Sequence, residues 1–219
     1  MATYDLSHPL ADGTPVYPGD PPVEVEPAAT VGDDGYRVTS LSLGTHAGTH
    51  VDAPAHLLAD GPGLESYPLE TFRFGARRID LRPLAAREPI DAGRLRDVTP
   101  STVTAADLLV VQTGWDETWG TDRYLEHPYL TADAAEVLLE WDVHVGIDTP
   151  NVDPTPTANA EADEPDGFPV HRALFADDRL LLENLRGLAA VPDTFELHAY
   201  PLALAAGDAA PVRAVAVRE

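Results

Sequence analysis

Short apolar runs of strand length, broken by turn residues, are what most limits how this 219-residue chain can fold. Ala76 to Leu81, Asp107 to Thr113, Val143 to Ile147, Phe195 to Tyr200 and Val212 to Val217 read as strands. Tyr36 to Leu43 alternates in part, and Tyr4 to Pro9 reads as a short strand entering a turn. Leu180 to Leu185 reads as a strand, although its apolar run also fits a buried helical segment. Helical spacing is clear at Thr131 to Trp141, with Thr131 as the expected cap, and a short helical turn is expected at Val170 to Phe175. Strands outnumber helices and their spacing is not that of regular βαβ units. The expectation is a mixed-sheet α/β fold in one domain over residues 1–219. Thr14 to Pro22 must be loop, and the long acidic stretch from Pro150 to Pro169 is of a length that is usually functional or mobile.

Composition removes several function classes. There are 14 basic residues, all Arg, against 37 acidic ones, for a net charge of −23. That charge argues against nucleic acid or an anionic membrane as partner, since both need a basic face. No apolar run approaches a membrane span, and residues 1–20 lack a secretory pattern, so a cytoplasmic chain is expected. With no cysteine, disulfides and thiolate metal sites are excluded. The acids are spread from Asp5 to Glu219 rather than gathered in a tail, which points to a solvated acidic surface suited to high salt.

Three of the eight histidines fall within His46-Ala47-Gly48-Thr49-His50-Val51-Asp52-Ala53-Pro54-Ala55-His56. Fully extended, His46 and His50 would stand about 13 Å apart. Zinc requires imidazole nitrogens about 2.0–2.1 Å from the ion, so the chain should curl between them, as Gly44 and Gly48 permit. Asp52 lies two residues beyond His50, on the same face of a strand. Imidazole and carboxylate donors suit zinc or manganese, and an ion held by three side chains keeps positions open for water and substrate. His56, presented after Pro54, is left as a proton shuttle.

This eleven-residue run resembles the H-x-G-T-H-x-D-x-P-x-H signature of the cyclase family, a group of metal-dependent hydrolases that includes bacterial kynurenine formamidases. Asp5 to Leu10, Tyr17-Pro18-Gly19-Asp20, Thr113-Gly114-Trp115 with Trp119-Gly120, His127 to Leu130 and Gly146 to Pro154 resemble further family segments, in order. The family's second ligand pair is a His followed by a Glu twelve residues later, and His171 and Glu183 have that spacing. The resemblance implies a first zinc on His46, His50 and Asp52 and a second on Asp52, His171 and Glu183. It also implies His56 as proton donor and acceptor, and the family's swivelling β/β/α fold. The implied activity is amide hydrolysis on a small molecule, most directly of N-formyl-L-kynurenine to kynurenine and formate. Opening of a cyclic amide such as isatin, another imide or a lactone is the alternative, and a non-catalytic metal-binding protein is the other. A homodimer or larger homo-oligomer is implied as well. Two positions depart from the family: Tyr17 stands where a substrate-contacting Trp is typical, and Asn151 where Ser is frequent. Trp115 and Trp119 read as core more than pocket; Asp148 and Asp153 read as turn residues. His8, His127, His144 and His198 read as structural or surface histidines.

Overall fold

The computed structural model describes residues 2–99 and 103–218. Its strands are β1 (Ala2–Asp5), β2 (Glu24–Ala29), β3 (Val38–Ser42), β4 (His50–Asp52), β5 (Arg73–Asp80), β6 (Pro89–Ile90), β7 (Leu108–Gln112), β8 (Tyr129–Leu130), β9 (His144–Ile147), β10 (Leu181–Glu183), β11 (Thr194–His198), β12 (Ala209–Pro211) and β13 (Val215–Arg218). The helices are α1 (Val31–Asp34), α2 (Ala92–Val98), α3 (Ala132–Glu140) and α4 (Pro169–Ala176).

Nine strands form one mixed sheet in the order β1-β13-β11-β5-β7-β9-β10-β4-β12. The middle, β5-β7-β9-β10, is parallel, and every pairing outside it is antiparallel. Central β7 explains the unbroken apolar run in the sequence, because both of its faces are covered. Leu108 and Val110 enter one core and Leu109 and Val111 the other. Helices α2, α3 and α4 close the second core with Leu95, Val137, Leu138, Val170 and Leu174. Among the described residues, no α-helix closes the first. Instead the sheet curls, so that Ala210 on edge strand β12 and Ala216 on β13, next to the opposite edge, share that core. The curl is tied where Leu6 N donates to Ala214 O at 2.9 Å and Ala214 N donates to Ser7 Oγ at 2.7 Å.

This is the expected mixed-sheet α/β fold. One local reading changes and one is narrowed. Thr131 occupies the N-cap position of α3, but its hydroxyl donates to Ile90 O and to the Asp133 carboxylate and caps no helix N–H. The Pro150 to Pro169 stretch is pinned. Glu164 forms a buried ion pair with Arg87, which also donates to Thr155 O and Thr157 Oγ1, each at 3.1 Å. The β2–β3 hairpin leaves Tyr36, Val38 and Leu41 exposed.

Candidate metal centre

The site is built on β4, only three residues long but paired on both sides. Alternation puts His50 and Asp52 on one face, and the antiparallel register of β10 sets Glu183 directly across from His50. The chain enters β4 through a curl at Gly48, whose φ is +65° and where an added Cβ would lie 2.6 Å from Leu10 Cδ2. The curl returns His46 to the cluster, with Nδ1 3.0 Å from Asp52 Oδ1. Its carbonyl end also serves: His50 Nδ1 lies 2.8 Å from Gly48 O, so that nitrogen carries the proton and Nε2 faces the cavity as an acceptor. His50 Nε2 is 3.2 Å from Asp52 Oδ1 and 3.5 Å from Glu183 Oε2.

The opposite wall comes from α4. Pro169 opens the helix, and Asp153 accepts from the N–H groups of Val170 and His171 at 2.9 and 3.0 Å. Asp153 also accepts from His171 Nδ1 at 2.8 Å, which turns Nε2 inward, 3.8 Å from Asp52 Oδ2 and 3.5 Å from Glu183 Oε1. Glu183 Oε1 itself accepts from Val152 N at 3.0 Å. Asp153, read from the sequence as a turn residue, therefore also orients an imidazole of the cluster.

Three sets of donors have their ligand atoms within 4.8 Å of one another: His46, His50 and Asp52; Asp52, His171 and Glu183; and the less buried His46, His56 and Asp208. Asp52 belongs to the first two. Despite the short approaches, His50 Nε2 and both carboxylate oxygens of Asp52 are buried with no hydrogen-bond partner. Leaving such groups unpaired is costly, and these are donor atoms that a bound metal ion would satisfy. The titration behaviour agrees. Burial would lower His46 and His171, yet Asp52 raises His46 to about 9, and hydrogen bonding to Asp153 together with the neighbouring carboxylates raises His171 to about 10. Burial lifts Glu183 to about 7. The pocket is thus arranged to hold positive charge.

A cavity of about 210 Å³ opens over this cluster. Tyr17 and Asn151 line it, as does His56, whose burial lowers it below the ordinary histidine value. His56 Nδ1 is 3.7 Å from Asp208 Oδ2, and the same oxygen is 3.1 Å from His46 Nε2. Asp208 links base and cluster, and only the tertiary fold brings it there. Phe168, which sequence pattern did not mark, also lines the cavity. Trp115 and Trp119 stand outside the cavity. Trp115 is buried and donates from Nε1 to Tyr124 O, and Trp119 stacks on His8 at 3.8 Å. Asp148 is fully buried and accepts from the N–H groups of Thr113 and Gly114. His127 is locked by Pro128 O and Thr155 Oγ1.

The geometry has counterparts in known proteins. The pattern described as "Putative cyclase" matches residues 4–154. A kynurenine formamidase of Salinibacter ruber is 34% identical over 98% of this chain and 97% of its own length. A solved structure described as a potential metal-dependent hydrolase with cyclase activity superposes with a TM-score of 0.78 at 26% identity, covering 100% of this chain and 98% of that one. The fold is also that of isatin hydrolase A from Ralstonia solanacearum, with a TM-score of 0.84 at 24% identity, over 100% of this chain and 92% of that one.

Proposed function

Since the chain belongs to the cyclase family, we propose that it is a metal-dependent arylformamidase, hydrolysing N-formyl-L-kynurenine to kynurenine and formate. The observation that carries this reading is Asp52, a fully buried carboxylate with neither oxygen hydrogen-bonded, set between inward-facing imidazole nitrogens at the floor of a cavity walled by aromatic rings. His46, His50 and Asp52 would hold one zinc, and Asp52, His171 and Glu183 a second, with manganese as the other ion these donors suit. When bound, the metal supplies a Lewis acid and activates water at neutral pH.

The chain's own residues supply the rest. Tyr17 offers the substrate ring an apolar face. His56, held neutral by burial, takes the proton as a water oxygen bonds to the formyl carbon. It returns that proton to the aniline nitrogen as the C–N bond breaks, leaving formate and the free amine. Asp208 keeps His56 beside the cluster. The same reading treats residues 1–219 as one domain, in a cytoplasmic homo-oligomer for which exposed Tyr36, Val38 and Leu41 offer apolar surface.

Metal analysis with a formate-release assay on wild type, His50→Ala and His56→Ala tests the proposal. His50→Ala is expected to lose metal and activity together. His56→Ala is expected to keep metal and lose about 10²–10⁴-fold in rate. Full activity in metal-free protein overturns it. The fold shared with isatin hydrolases, together with Tyr17 in the cavity, supports a cyclic amide as the alternative substrate. A panel holding both compounds separates the two.

A further inference from the structure

Phe168 has the one backbone in the cavity wall that its residue type disfavours. Its φ of 58° and ψ of 56° put a bulky side chain in the left-handed region, immediately after Gly167 at φ +78°. A bulky non-glycine residue there is an outlier, and such strain persists only where surrounding structure over-determines it. Here the surroundings do. Arg172 N donates to Phe168 O at 3.0 Å, Arg172 Nε donates to Gly167 O at 2.9 Å, and the Arg87–Glu164 pair pins the loop upstream. Glycine would occupy position 168 without strain. What the strained position secures is therefore the ring.

The ring's neighbours say what it is for. Phe168 lies 6.1 Å from Tyr17 at an interplanar angle of 52°, and 6.0 Å from His171, edge to face. An aromatic guest sandwiched between two rings needs about 7 Å, two contacts of about 3.5 Å each. Tyr17 and Phe168 are too close for that and are inclined, so they form a corner against which one planar ring can rest. The His171 contact puts that corner beside the cluster. We propose that Phe168 is a specificity-determining residue, which with Tyr17 selects substrates whose leaving nitrogen is carried on an aromatic ring. This rests on the amide-hydrolase reading above and deepens it.

The test compares wild type with Phe168→Ala, Phe168→Gly and Phe168→Tyr. The Gly variant removes the ring while relieving the backbone, which guards against loss of folding, and Tyr restores the ring. Two substrates are used, N-formyl-L-kynurenine and an N-formyl alkylamine. The expected result is a KM for the aryl substrate raised about tenfold in the Ala and Gly variants, in the range of one lost aromatic contact. The kcat, the alkyl substrate's KM and the metal content should be little changed, and the Tyr variant should recover the aryl preference. Equal losses on both substrates, or an unchanged aryl-to-alkyl ratio, overturn the proposal. L-Kynurenine binding, followed by calorimetry, reads the corner without turnover. About tenfold weaker binding in the Ala and Gly variants supports the proposal, and equal binding by wild type and variants overturns it. Absence of formate release by wild type with ring-dependent kynurenine binding intact counts against the hydrolytic reading alone.

Discussion

Replacing Asp153 by Ala separates a structural carboxylate from a metal-tuning one. The carboxylate accepts three hydrogen bonds, from Val170 N, His171 N and His171 Nδ1, at 2.8 to 3.0 Å. Its removal strands two buried backbone donors, at about 1–3 kcal/mol each, so metal-free Asp153→Ala should lose about 2–6 kcal/mol. For a chain of this size each kcal/mol moves Tm by about 2–4 °C, which makes the smallest expected drop about 4 °C. The third bond acts separately. Without it nothing holds the proton on His171 Nδ1 and turns Nε2 towards Asp52 and Glu183, and partners of this kind are worth about 10–100-fold in metal affinity. Zinc competition titrations on wild type, Asp153→Ala and Asp153→Asn, with melts of metal-free and metal-loaded protein, measure both effects. Asn keeps one acceptor oxygen and should fall between the other two. Wild-type zinc affinity in a destabilised Asp153→Ala would refute the orienting role and leave Asp153 as a helix cap alone.

Other expectations follow from the same geometry. The metal-free fold should weaken with rising pH. The folded values of His46 and His171, about 9 and about 10, exceed the ordinary 6.5, so their contribution is complete below about pH 6.5 and is lost as pH climbs through 9 to 10. Urea melts of the metal-free protein at pH 6 and pH 9 check this, and zinc binding at pH 7 should release protons, read as a buffer-dependent heat. Glu164→Ala should cost about 3–5 kcal/mol by leaving Arg87 buried and unpaired, whereas Arg87→Met with Glu164→Leu should recover much of that in the same melt. A surface of charge −23 should be stabilised by screening. Midpoints at about 0.1 M and about 3 M KCl should differ in favour of high salt, and equal midpoints would refute a salt-adapted surface.

The sequence made legible whatever one segment can state by itself. The Asp107 to Thr113 run declared a buried strand, and β7 is one; His46, His50 and Asp52 declared a donor set because eleven residues carried them all. His171 and Glu183 are different. Their spacing means little alone, and they stood out only through resemblance to the cyclase family. Asp208 and Phe168 gave no signal, since each is placed by contacts with distant chain: Asp208 with His46, through the pairing of β12 with β4, and Phe168 with Tyr17. Asp153 was seen but given half its role, because its third partner is a side chain on a helix that only folding sets over it. Strand β2 and helix α1 were not anticipated, because most of their residues are solvated and neither has a buried face to impose a period.

The pairing of β4 with β10 places three donors by register, Glu183 against His50 and Leu181 against Asp52. Because side chains alternate along a strand, a slip of one residue would turn Glu183 out of the cavity and present Leu182 instead. Insertions in the exposed β2–β3 hairpin leave that register alone. Losing any one residue from Leu181 to Glu183 would not, although the chain's hydrophobic content would barely change. Length variation among descendants of this protein should therefore collect in the hairpin and spare β4 and β10, where a single codon's indel would abolish the centre.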